Sequence, residues 1–156
     1  MSLNLKDELL LLARLFDQEG VEYAVCGGLA VAIHGYPRAT KDMDFLVQSE
    51  SAEKVEFLAR KAGYTLSAGI IPFDSGKPTE RRVLRLSKAR GEDLLTLDLV
   101  LVGPVLEEVW AGRERRRIGD QELSVVSRRG LIHMKELASR PVDLADIREL
   151  SREDTK

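Results

Sequence analysis

The run Leu94-Leu95-Thr96-Leu97-Asp98-Leu99-Val100-Leu101-Val102 reads as a β-strand, and it commits the chain to a sheet. Alternation places Leu95, Leu97, Leu99 and Leu101 on one face and Leu94, Thr96, Asp98, Val100 and Val102 on the other. A single carboxylate therefore interrupts an otherwise apolar pattern. Burying it without a partner would be expensive, which makes Asp98 a candidate site residue rather than a packing residue.

The other elements follow from the same kind of pattern. Leu5, Leu9, Leu12, Leu15 and Phe16 recur at helical spacing between Asn4 and Gly20, predicting a helix over 5–19. Residues 21–26 read as a short strand, 29–34 as a helix stopped by Gly35, and 42–47 as a second strand. A third helix starts near Ser49 or Ser51 and ends at Gly63, with Val55, Phe57, Leu58 and Ala62 as its apolar positions. Pro72, Gly76 and Pro78 predict a loop over 69–80, after which 81–87 and 94–102 pair as a hairpin. A short helix over 104–111 carries Trp110 into the core, and a small hairpin turns at Gly119-Asp120. Ser127 caps a helix through Leu137, and Pro141 opens a last one ending near Leu150.

No repeat, low-complexity stretch or linker divides these elements, so the expectation is one α+β domain over 1–156. A chain of 156 residues buries roughly 68–70% of its extended surface, enough for a core without staples. The lone Cys26 excludes a disulfide scaffold, no Cys/His spacing fits structural zinc, and a reducing cytoplasm is the expected location. The apolar run at 9–13 is cut by Arg14 and is too short to span a membrane. With a net charge of −2, any polyanionic partner must be met locally. The arginines at 113, 115, 116, 117, 128 and 129 read as a solvated hairpin face rather than such a surface.

Val25-Cys26-Gly27-Gly28 is a strand that ends on two glycines and opens a helix. Backbone N–H groups at such a turn are open to a phosphate, because no side chain stands in the way. The next strand, Asp42-Met43-Asp44-Phe45-Leu46-Val47, carries two carboxylates on one face. At ~4 Å and an effective dielectric near 20 their repulsion is about 4 kcal/mol, a cost that a cation or protons must offset. Magnesium, which takes one or two carboxylates together with substrate phosphates, suits the pair. A glycine turn followed by two and then three acids describes a site for a nucleoside triphosphate bridged to paired metals.

At these residues the chain resembles the nucleotidyltransferase superfamily of the DNA polymerase β type, whose short members join a Gly-Gly or Gly-Ser turn to Asp-x-Asp and a later third Asp. Within it, Leu131, Lys135 and Ala138 resemble the Leu-x₃-Lys-x₂-Ala helix of nucleotidyltransferases related to the AbiEii abortive-infection toxins, many of which carry serine where this chain has Gly28. Arg140, Asp143 and Asp146 resemble the segment that follows. The resemblance covers about 21–150. It implies a mixed β-sheet with flanking helices, Gly27 and Gly28 beneath the triphosphate, Asp42 and Asp44 bridging two magnesium ions, Asp98 as third ligand, and Lys135 on the phosphates.

Arg38 and Thr40, just before Asp42, offer a guanidinium fork and a hydroxyl to a phosphate or ribose, or else stabilise their own loop. His34 reads as a helix-end residue, Cys26 as core, and Asp143 and Asp146 as structural ion-pair partners. The expected activity moves a nucleoside monophosphate from a triphosphate such as ATP or GTP to an acceptor hydroxyl, with Asp98 placed to activate the acceptor. An RNA end, a partner protein's hydroxyl and a small alcohol all remain open as acceptors. The rival readings are a silent nucleotide-binding module of a two-protein, toxin–antitoxin-like system, and an antibiotic adenylyltransferase.

Overall fold

The computed structural model describes residues 4–37 and 40–152. Its strands are β1 (Ala24–Cys26), β2 (Asp42–Gln48), β3 (Leu66–Phe73) and β4 (Arg81–Arg90), then β5 (Asp93–Val102), β6 (Glu114–Ile118) and β7 (Gln121–Val125). They form one sheet in the order β3-β4-β5-β2-β1-β7-β6. It is mixed: β2 runs parallel to β5 and β1 to β7, while the other neighbours are antiparallel. The expected α+β class, a mixed sheet with flanking helices, is what the chain adopts.

The helices are α1 (Leu5–Gln18), α2 (Gly27–Ile33), α3 (Ala52–Lys61), α4 (Glu107–Ala111), α5 (Arg128–Ala138) and α6 (Pro141–Leu150). Asn4 Oδ1 accepts from the Asp7 N–H at 3.1 Å, and Ser127 Oγ from the Gly130 N–H at 3.0 Å, satisfying donors that a helix start leaves open. Leu9, Leu12, Ala13 and Phe16 form the buried stripe of α1. Phe16 meets Tyr23 and Phe45 with ring centroids 5.3–5.7 Å apart, which ties α1 to the sheet. Because Phe45 and Asp44 are strand neighbours they point to opposite faces, so the face bearing Asp44 is the one that α1 leaves open.

Several expectations need correction. Residues 69–80 are not all loop: β3 extends to Phe73 as an edge strand, where Pro72 needs no ladder partner on its outer side. Its exposure shows no alternation, so no period-2 signal marked it. Phe57 is 60% exposed and packs its ring under Lys61 instead of entering the core; Val55, Leu58 and Ala59 are the buried positions of α3. The strand begun at Val21 starts only at Ala24. Trp110 is core, as expected.

The arginine-rich segment is a set of local pairs. Arg113 lies over the Trp110 ring at 4.0 Å and near Glu22, Arg115 pairs with Asp17 and Glu122, and Arg116 with Glu114. Arg116 also donates to His34 Nδ1 at 2.9 Å, so the other ring nitrogen donates to the Val126 carbonyl and pins the end of α2. No helix among the described residues is long and apolar enough to cross a membrane.

Candidate active site

Strand register builds the site. Arg85 on β4 faces Asp98 on β5, Asp98 faces Asp44 on β2, and Asp44 faces Cys26 on β1. Register partners point to the same face, so these side chains make a transverse row, with Asp42 two residues from Asp44 on the same side. The row ends at Gly27, whose φ of +67° bends the chain out of β1 into α2. A Cβ on Gly27 would stand 2.1 Å from Asp44 Oδ2. This glycine is therefore required twice, by its left-handed backbone and by the carboxylate lying against it.

The row floors a cleft of about 500 Å³. Gly27, Gly28, Thr40, Asp42, Asp44, Asp98 and Lys135 all line it, so the structure brings together every sequence-predicted site residue except Arg38, which lies outside the described residues. Thr40 stays close to its own loop, with its hydroxyl 3.4 Å from the Asp42 carbonyl. Gly28 is buried in the first turn of α2.

Burial first, then the carboxylates of Asp98 and Asp42, push the Asp44 carboxyl up to about 7. Burial and the same Asp44 also raise the Cys26 thiol, which leaves it an unreactive core group. Asp98, 8% exposed, is held by a guanidinium fork: Arg85 Nε donates to Oδ1 at 2.8 Å and Nη2 to Oδ2 at 3.0 Å. That hydrogen bonding raises the Arg85 pKa further, so its charge is permanent.

Lys135, expected on the phosphates, is 4% exposed and lies 3.3 Å from Asp143 and 3.1 Å from Asp146. Arg140 donates to Asp143 through its backbone N–H, Nε and Nη2. Burial works against ionisation of Asp143, but the Arg140 hydrogen bonds and Lys135 hold its pKa below the usual carboxylate range. The ion pairing expected of Asp143 and Asp146 is present, and Lys135 is its centre.

Arg85 was overlooked in the sequence, although a signal existed. The β4–β5 turn at Gly91-Glu92 pairs Arg90 with Asp93, and counting back along both strands sets Arg85 opposite Asp98. Arg81 and Asp74, paired at 2.9 Å on the cleft wall, had no such signal because the loop between them hides their separation.

Among the described residues, no group of three or more His, Cys, Asp or Glu is arranged to hold a metal ion, and both Asp98 oxygens are taken. Asp42 and Asp44 do fit a hard cation. Their oxygens share one face, and the raised Asp44 pKa registers an excess of negative charge there. Gly27→Ala is expected to cost about 2 kcal/mol or more, from the left-handed backbone and the displaced Asp44. Chemical denaturation of the variant measures it, and an unchanged midpoint would remove the close approach.

A sheet whose neighbouring central strands β2 and β5 carry the acids, beside a glycine turn into a helix, defines the nucleotidyltransferase fold, and this chain has it. The lincosamide antibiotic adenylyltransferase LnuA, solved with lincomycin bound, matches with a TM-score of 0.65 at 17% identity, covering 96% of this chain and 98% of that one. The antibiotic-resistance factor ANT(2'')-Ia matches at 0.62 and 13% identity, covering 95% of this chain and 84% of that one. A structure described as that of a putative nucleotidyltransferase from Thermotoga maritima matches at 0.59 and 12%, covering 95% of this chain and 94% of that one. No family model matches this chain, and no curated protein sequence does.

Proposed function

We propose that residues 1–156 form one nucleotidyltransferase domain, which moves a nucleoside monophosphate from a triphosphate to an acceptor hydroxyl. The acceptor oxygen bonds to the α-phosphorus, the bond from that phosphorus to the bridging oxygen breaks, pyrophosphate leaves, and the hydroxyl proton passes to water. The observation that carries this reading is the row of Asp98, Asp44 and Cys26 in register, with Asp42 beside it and Gly27 at its end. Asp42 and Asp44 hold magnesium, which when bound neutralises phosphate charge and makes the acceptor hydroxyl easier to ionise. Gly27 and Gly28 keep the backbone open to the phosphate chain. Thr40 lines the cleft beside it, Arg38 is the further nucleotide contact proposed from its place in the sequence before Asp42, and Lys135 acts through the acids that it fixes, Asp143 and Asp146.

A small alcohol is the acceptor class best supported. Val83, Val100, Leu106, Leu131 and Met134 line the cleft with apolar surface beside the acids, as a drug-sized molecule requires. One neighbour in fold is a lincosamide antibiotic adenylyltransferase, and another, the antibiotic-resistance factor ANT(2'')-Ia, was also solved with adenylyl-2''-tobramycin. The AbiEii-like alternative places the acceptor on RNA or on a partner protein, and a silent member of a two-protein system would bind nucleotide without turnover.

Each α-labelled nucleoside triphosphate, offered with magnesium to the protein plus lincosamides, aminoglycosides or cell extract, separates these readings by the fraction that takes up label. Binding without label transfer from any nucleotide would leave the silent module. Triphosphate affinity is expected to fall at least tenfold in chelator, because Asp42 and Asp44 repel a polyanion until a cation reverses the local charge. Calorimetry with and without chelator checks it, and equal affinities would remove the metal from the site.

A further inference from the structure

Most carboxylates facing the cleft are already matched to a basic side chain. Asp74 pairs with Arg81, Asp98 with Arg85, and Asp143 with Lys135 and Arg140. Among the described residues, Asp42 and Asp44 are the cleft carboxylates with no basic group within ion-pair distance.

We propose that Arg85 stands as a fixed cation against Asp98, so that the site takes a single divalent cation, held by Asp42 and Asp44, instead of a metal pair. This rests on the nucleotidyl-transfer reading and deepens it. Charge supports it. With Asp44 ionised, as a bound cation requires, Asp42, Asp44 and Asp98 together carry −3, Arg85 returns +1, and the remainder is matched by one divalent ion.

Geometry supports it independently. Arg85 and Asp98 are direct cross-strand partners inside a continuous β4–β5 ladder, so the fork is built into the sheet and is not a mobile surface contact. The Asp98 side chain is 11% exposed beneath an Arg85 side chain that is 40% exposed, so the guanidinium stands between the carboxylate and water. A planar fork that engages both oxygens at 2.8 and 3.0 Å means that a second ion at Asp98 would have to share both oxygens with a fixed positive charge, which disfavours it. A guanidinium has five N–H donors, and Asp98 engages two of its nitrogens, which leaves donors for phosphate or acceptor oxygens. Asp98 is then a positioning residue for Arg85.

Manganese(II) is the probe, with the full chain as wild type, Arg85→Gln and Arg85→Gln/Asp98→Asn. Bound ions are counted by loss of the free-ion paramagnetic resonance signal, and exchange coupling in the spectrum reveals any metal pair. The expected result is one uncoupled ion per wild-type chain, a second and coupled ion in Arg85→Gln, and one again in the double variant. Two coupled ions in the wild type would overturn the proposal while leaving nucleotidyl transfer intact, and this count stands even if Arg85→Gln does not fold. A folded Arg85→Gln that still binds one ion would also overturn it. No bound ion in the wild type would overturn the metal site itself, and with it the reading on which the proposal rests.

Discussion

Asp44→Asn is expected to lower nucleotidyl transfer by about 10³-fold or more, since it removes a proposed metal ligand, and a bound metal is worth several kcal/mol of transition-state stabilisation. The metal-free protein should be no less stable for the change. Asp44 titrates near 7 in the fold against an ordinary 3.8, so the folded state prefers the neutral acid. Its contribution to stability is complete below about pH 4 and is lost progressively until pH has risen through about 7, a loss on the order of 4 kcal/mol. Asparagine is neutral throughout and escapes that loss. In chelator, the melting temperature of Asp44→Asn should therefore draw level with wild type near pH 4, exceed it increasingly up to about pH 7, and keep a constant lead above that. Parallel curves for the two proteins would mean that Asp44 is not under repulsion.

Lys135→Met should have the opposite effect, destabilising the fold by roughly 3–5 kcal/mol, because it removes the buried ammonium that two buried carboxylates share. Arg140 remains to Asp143 and limits the loss, so the melting temperature should drop by on the order of 10 °C. Adding Asp146→Asn should recover part of the loss, since it removes one of the two negative charges that the ammonium offset. The depressed Asp143 pKa has a further consequence: its contribution is present above the ordinary carboxylate range and is lost as pH falls through the folded value. The gap between wild type and Lys135→Met should accordingly narrow in acid. A variant that melted like wild type but lost triphosphate affinity would return Lys135 to the phosphates.

What could be read without coordinates was whatever depends on neighbours along the chain. The period-2 pattern around Asp98, the same-face pairing of Asp42 and Asp44, and the strand–glycine–helix turn all have that local character. Partners set by packing were hidden. Nothing in the spacing of α5 and α6 says that Lys135 will point at Asp146, because that depends on the crossing of two helices. The sequence also treats Gly27 and Gly28 alike, whereas Asp44, from another strand, singles out Gly27. The edge strand β3 went unseen because a strand covered on neither face carries no alternation to detect, and Pro72 at such an edge looks like a turn.

The transverse row also has a kinetic meaning. Its outer member comes from a hairpin that closes around two residues, but Asp44 meets Asp98 only when β2 lies parallel to β5, across a separation that includes α3, β3 and β4. Closing so long a loop costs entropy before any contact repays it, and parallel pairing of this kind belongs to the slow part of folding. The acids are thus kept apart in any chain that has formed only its local hairpins, and their mutual repulsion is met late, when most of the core is available to oppose it. A competent site is therefore a property of the fully folded chain alone. Fraying of β3 at the sheet's edge leaves the row whole, whereas parting β2 from β5 dismantles it in one step.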